Sequence, residues 1–148
     1  MKKKILLFID WFEPGFRAGG PIRSCVNFVR SMEDIYQLYV FTSDRDLGES
    51  GPYPDKAINQ WSGPENGTLV YYCAPGSLNW SNIRTQLLKV DPDFIYLNSM
   101  FSFNFTILPL MIARLAARKT PIVLAPRGML RSSALQYKSL KKNLFLQL

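Results

Sequence analysis

Lys4-Ile5-Leu6-Leu7-Phe8-Ile9-Asp10, followed by Trp11-Phe12-Glu13-Pro14-Gly15-Phe16-Arg17-Ala18-Gly19-Gly20-Pro21-Ile22-Arg23, decides the fold class of this 148-residue chain. A short, nearly continuous apolar run suits a strand covered on both faces. The loop after it carries three glycines and leads into residues 21–34, which read as a helix with Pro21 in the first turn, where a missing N–H is no loss. Strand, glycine-bearing loop and helix in that order open an α/β sheet.

The alternation continues outward from this unit. Residues 37–42 and 69–74 read as strands, 79–90 as a helix stopped by Asp91-Pro92, 94–98 as a strand and 104–118 as a helix. Residues 122–125 read as a last strand and 132–148 as a helix with Leu140, Leu144 and Leu148 along one face. Such a pattern predicts right-handed crossovers and a parallel sheet with helices on both faces. Ligands of such sheets bind beyond the carboxyl ends of the strands, which singles out the loops after Asp10, Asn98 and Ala125. Residues 43–67 are too long for an ordinary connection and read as a binding loop or an insertion. No repeat, low-complexity tract or linker divides the chain, so 1–148 reads as one domain. Its apolar spacing runs up to Leu148 without a Gly or Asn cap, from which we expect a piece of a longer protein.

Composition narrows the chemistry. With 47% hydrophobic and 14% aromatic residues the chain can close a core without disulfides or metals. Cys25 and Cys73 lie in apolar surroundings and read as buried thiols. There is no histidine, which removes the usual general base, a common metal ligand and any Ser-His or Cys-His nucleophile pair, so triad hydrolases are nearly excluded. The net charge of +7 is unevenly placed, because residues 94–148 hold eight basic side chains and no acidic one. That points to an anionic partner: a phosphate-bearing small molecule, a membrane surface or nucleic acid. No nucleic-acid recognition motif accompanies the basic residues, and nucleic acid is set aside. The apolar start stops at Asp10 with no cleavage site, and residues 101–117 are interrupted by Asn104, Pro109 and Arg114 short of a bilayer span. A soluble, cytoplasmic protein able to contact the inner face of a membrane peripherally is expected. The sequons at Asn66, Asn79 and Asn104 then read as chance matches.

Several residues could carry chemistry. Gly19 and Gly20, between Arg17 and Arg23, let backbone approach a ligand, and free amides at a helix start attract phosphate. A tight turn needing positive φ is the alternative. Their spacing departs from GxGxxG and no Gly-Lys-Ser/Thr follows. Dinucleotide binding is therefore disfavoured, though Asp44 after the second strand keeps a nicotinamide-dependent oxidoreductase domain open. In Ala125-Pro126-Arg127-Gly128-Met129-Leu130, the Arg127 fork suits a phosphate or a sugar hydroxyl and Gly128 permits close approach; a structural salt bridge is the alternative. Asn98 and Ser99 suit hydroxyl recognition or the capping of the next helix. Lys138, Lys141 and Lys142, interleaved with Tyr137 and Phe145, form either a solvated face or a surface for anionic lipid or a lipid-diphosphate acceptor. The cluster Asp44, Arg45 and Asp46 reads as structural or gating.

Taken together, the Gly19-Gly20-Pro21 loop before a helix, the Asp93-Phe94-Ile95-Tyr96-Leu97-Asn98 strand and the Pro126-Arg127-Gly128-Met129 run resemble the amino-terminal half of family 4 glycosyltransferases. The resemblance implies a Rossmann-like α/β domain, one half of the two-domain glycosyltransferase B-type fold. Residues 1–148 would be the acceptor-side domain, with the carboxyl-terminal donor-binding domain outside this chain. It further implies transfer of a sugar from a nucleotide-sugar donor to a glycan or lipid-linked acceptor, in bacterial cell-surface polysaccharide biosynthesis. No metal and no cofactor beyond the nucleotide-sugar co-substrate are implied, and this half alone is expected to be inactive. Gly19 and Gly20 become donor-phosphate contacts, while Arg17, Asn98, Ser99, Arg127, Gly128 and Lys138 become acceptor-side or cleft residues; no catalytic residue is assigned. The chain departs from many members in carrying Asn98 where they have histidine. A stand-alone nucleotide- or phosphate-binding α/β module is the alternative from another class.

Overall fold

A computed structural model of the chain describes residues 1–64, 67–116 and 119–127. Its elements are β1 (Lys4–Phe8), α1 (Gly20–Met32), β2 (Gln37–Ser43), β3 (Trp61–Ser62), β4 (Leu69–Cys73), α2 (Trp80–Val90), β5 (Phe94–Leu97), α3 (Leu108–Leu115) and β6 (Ile122–Leu124). A 3-10 turn at Pro75–Ser77 precedes α2, and a π-helical turn at Phe103–Ile107 precedes α3. The strands form one sheet in the order β3-β4-β2-β1-β5-β6. Every pairing is parallel except that of β3 with β4.

The continuous apolar run of β1 is explained by its central place, with both faces covered. Leu6 and Phe8 point into one core, and Ile5 and Leu7 into the other. Leu6, Leu7 and Phe8 are wholly buried, a transfer gain of about 2–3 kcal/mol for each side chain. On the Leu7 face lies α1, whose Ile22, Cys25, Val26 and Val29 recur at helical spacing and pack with Leu38 and Val40 of β2. On the Phe8 face lie α2, through Ile83, Leu87 and Val90, and α3, through Leu108, Ile112 and Ala113. Phe41 anchors this second core by stacking on Tyr71, with ring centroids 5.1 Å apart.

The sequence expectations for the strands and for α1 and α2 are met to within two residues at each end, with helices on both faces of the sheet and both cysteines free and buried. Three points are corrected. The sheet is mostly parallel rather than wholly so: β3, inside the long 43–67 segment, adds an antiparallel edge strand. The expected helix over 104–118 begins as a π-helical turn, in which the Ile107 N–H bonds five residues back to the Ser102 carbonyl at 3.0 Å, and its α-helical part ends at Leu115. Pro109 lies just beyond and has no N–H to restore the tighter ladder. The cap of that segment is Ser102, which accepts from the Phe105 N–H, and not Asn98 or Ser99. The helix expected over 132–148 lies outside the described residues.

Candidate functional site

The parallel strands run β4-β2-β1-β5-β6, so the chain moves outward in one direction from β1 and later returns to add β5 on its other side. The loop after β1 turns toward α1 on one face, and the loop after β5 turns toward the π-helical turn on the other. Diverging loops of this kind open a crevice at the carboxyl ends of the two strands. A cleft of about 90 Å³ lies there, bordered by Asp10, Ala18, Pro21, Asn98, Ser99 and Arg127. A larger cavity of about 730 Å³ opens between α1 and residues 55–64. Its charges include the Arg30–Glu13 pair at 3.4 Å, and neither Asp10, Asn98 nor Arg127 borders it. The smaller cleft is the one bordered by the sequence-predicted residues Asn98, Ser99 and Arg127.

Arg127 and Asn98 meet there across 29 residues of sequence. The Arg127 Nε and Nη2 donate to Asn98 Oδ1 at 2.9 and 2.6 Å, Nη2 also donates to the Tyr96 hydroxyl at 3.1 Å, and Nη1 donates to Ser24 Oγ on α1. Tyr96 is held in turn by stacking on Phe28 at 4.8 Å. Every partner is neutral, and among the described residues Arg127 makes no salt bridge, so its charge is positioned without being neutralised. Arg127 also adopts a left-handed φ of 49°, a conformation that costs a non-glycine residue about 1–2 kcal/mol. Ser99 borders the same cleft, and its carbonyl is tied down by the Thr106 hydroxyl at 2.8 Å.

The two glycines differ. Gly19 has φ 66° and ψ −118°, which side chains disfavour, so the backbone itself requires glycine there. Gly20 begins α1 with an ordinary φ, and at both glycines an added Cβ would meet no described atom within 4 Å beyond the adjoining backbone. No side chain caps α1 and no acidic residue stands in its first turn, whereas Asn79 caps α2. The amides at the start of α1 are thus left for solvent or a ligand. Behind them, the Asp46 carboxylate accepts from the backbone N–H groups of Phe16, Arg17 and Leu47 at 2.9, 3.2 and 2.8 Å and fixes the loop. Arg17, expected in the cleft, instead pairs with Glu49 of the long insertion and does not border the cleft.

Sequence reasoning treated Asp10 only as the end of a strand. Its Oδ1 accepts the Ser102 hydroxyl at 2.6 Å, joining the carboxyl end of β1 to the cap of the π-helical turn. Desolvation raises the Asp10 pKa above the ordinary carboxylate value, against the opposing pull of the Ser102 hydroxyl and its own backbone N–H. The signal that could have found it is a lone carboxylate as the last residue before the first crossover loop.

Asp44, the residue that kept a nicotinamide site open, is buried with its two oxygens on the Arg45 guanidinium at 2.7 and 3.2 Å. A ribose would have to displace that fork. Gly128 and Lys138 lie outside the described residues. Among the described residues no cluster of His, Cys, Asp and Glu could hold a metal ion, and no helix is long and apolar enough to cross a membrane. No family model, curated protein sequence or solved structure matches the chain.

Proposed function

We propose that the chain is the acceptor-side part of a glycosyltransferase of the family 4 kind, acting on a nucleotide-sugar donor and a glycan or lipid-linked acceptor. The observation that carries this reading is Gly20. It has an ordinary φ, and a Cβ there would meet no described atom, so the uncapped start of α1 leaves room for a ligand close to the backbone. A donor diphosphate laid against that start would accept from free amides and favour the positive end of the helix. Beside it, the cleft offers Asn98 and Arg127 on the acceptor side.

In the reaction, the bond from the anomeric carbon to the donor phosphate breaks with its electron pair left on the nucleoside diphosphate. The acceptor hydroxyl oxygen forms the new bond, and its proton passes to the departing phosphate. Preorganised amides at the start of α1 would stabilise the charge that develops on that phosphate. The absence of histidine is compatible with this route, which asks for no imidazole base.

Gly20→Val tests the reading. In the intact enzyme, assayed by nucleoside diphosphate release from a panel of nucleotide sugars, turnover should fall about 100-fold, as when an oxyanion donor is lost. The circular dichroism should stay unchanged and the melting temperature should not fall, because the new side chain enters open space. Full turnover in a folded Gly20→Val enzyme would remove the loop from the site.

A further inference from the structure

We propose that the outer side of α3, with the π-helical turn before it, is a docking surface for an anionic lipid bilayer. Phe103, Ile107, Met111 and Leu115 enter the headgroup boundary, and Arg114 and Lys119 meet lipid phosphates. Such a surface does not depend on the sugar-transfer reading.

Where helices cover a sheet, the side of each helix turned away from the sheet meets water and is polar. α1 obeys this rule, with Arg23, Asn27, Arg30 and Ser31 exposed. So does α2, which exposes Ser81, Arg84, Thr85 and Lys89 beside a single large apolar residue within the helix, Leu88. The third helix breaks it. Leu108, Ile112 and Ala113 fill the core, yet Phe103 is 61%, Met111 47% and Leu115 71% exposed. Together with the partly buried Ile107 they recur every four residues, which sets them in one row along the element. Single exposed apolar side chains are ordinary on a protein surface, whereas a continuous row marks a contact.

Charge around the row selects the occupant. Arg114 lies beside it and Lys119 just beyond its carboxyl end; both are exposed, and among the described residues neither makes an ion pair. No acidic side chain occurs from residue 94 to residue 148. A second copy docked about a two-fold axis would set this patch against itself, cation facing cation with no carboxylate between them. An anionic bilayer supplies what the row lacks. Its phosphates meet the two cations and its acyl boundary takes the apolar side chains, as for a helix lying in the plane of the interface. The amino end of the row lies beside the cleft, since Phe103 follows Ser102, whose hydroxyl bonds the cleft residue Asp10 at 2.6 Å.

The test is co-flotation of the 148-residue chain with vesicles of phosphatidylethanolamine and phosphatidylglycerol, set against vesicles of phosphatidylcholine alone. Binding to the anionic vesicles should be about tenfold the stronger. Met111→Glu combined with Leu115→Glu, both at exposed positions, should weaken it about tenfold, and Arg114→Gln about fivefold. Leu88→Glu on α2 should leave it unchanged. A second readout needs no variant. On anionic vesicles, hydrogen peroxide should convert Met111 to its sulfoxide about tenfold more slowly than in the free chain, while Met1, exposed and outside the row, reacts equally in both. The proposal is overturned if the chain stays off anionic vesicles, or if it binds them with Met111 unprotected. It is equally overturned if Leu88→Glu weakens binding as much as the paired variant, or if the paired variant halves the mass of the chain in solution, which would mean that the row joins two copies.

Discussion

Asp10 and Asp46 are two carboxylates in loops that follow neighbouring strands, β1 and β2, and the chain treats them in opposite ways. Asp46 is 6% exposed and accepts three backbone N–H groups, from Phe16, Arg17 and Leu47. Desolvation pushes its pKa upward, but those N–H groups and the Arg17 charge outweigh it and hold the carboxyl below its ordinary range. Asp10 receives one side-chain hydroxyl and is shifted upward. Both carboxylates accept hydrogen bonds from their own chain, Asp10 from the Ser102 hydroxyl and its own backbone N–H, but only at Asp46 do those donors outweigh the cost of burial.

The largest effect that could break this comparison is on stability. Asp46→Ala removes three charge-assisted hydrogen bonds and strands the N–H groups that shape the glycine loop. About 3 kcal/mol should be lost, read as a lower urea midpoint. Asp10→Asn keeps an oxygen for the Ser102 hydroxyl and should stay within about 1 kcal/mol of the parent. If Asp10→Asn proves as damaging as Asp46→Ala, Asp10 is a structural carboxylate and the contrast is lost.

The glycine pair offers a second contrast, between a residue whose backbone conformation requires glycine and one whose conformation does not. Gly19→Ala forces a side chain into φ 66°, ψ −118°, and should cost about 1–3 kcal/mol in thermal unfolding. Gly20→Ala removes backbone freedom from the unfolded chain at a position with open space, and should gain about 0.5 kcal/mol. A loss at Gly20 equal to that at Gly19 would mean that the fold, and not a ligand, requires both.

The parts of this molecule legible in sequence are those whose signal is local. β1 and β5 show as apolar runs because both faces are covered, and α1 shows through the spacing of Ile22, Cys25, Val26 and Val29. β3 does not show, since two residues carry no period. Its place depends on Trp61 packing edge-on against Tyr39 at 5.3 Å and donating to Gln86 at 2.9 Å, partners 22 or more residues away. Of the residues that border the cleft, Asn98, Ser99 and Arg127 are legible because polar groups stand out at strand ends, whereas Gly19 and Gly20 do not border it. The Asp10–Ser102 pair, 92 residues apart, exists only once β5 has been laid beside β1. Arg17 misleads for the converse reason: Glu49, folded back from the long insertion, takes the charge that looks available beside the glycines.

The smallest effect is the pH dependence of stability, and the two carboxylates should move it in opposite directions. The folded pKa of Asp46 is depressed, so its stabilisation is complete above the ordinary carboxylate range and is lost as pH falls through the folded value. The folded pKa of Asp10 is raised, so the fold binds its proton more tightly than the unfolded chain does. Ionising Asp10 above that pKa costs stability, and the cost is recovered as pH falls toward the ordinary carboxylate value. Neither group can contribute a slope steeper than about 1.4 kcal/mol per pH unit. Urea midpoints for the parent, Asp10→Asn and Asp46→Asn, taken from neutral pH to about pH 3, separate the two. Asp10→Asn should gain on the parent as pH rises through the acid range, while Asp46→Asn should fall furthest behind near neutrality and close the gap in acid. Differences that stay flat with pH at both positions would mean that the two carboxylates sit in equivalent surroundings, and the contrast between Asp10 and Asp46 would be lost.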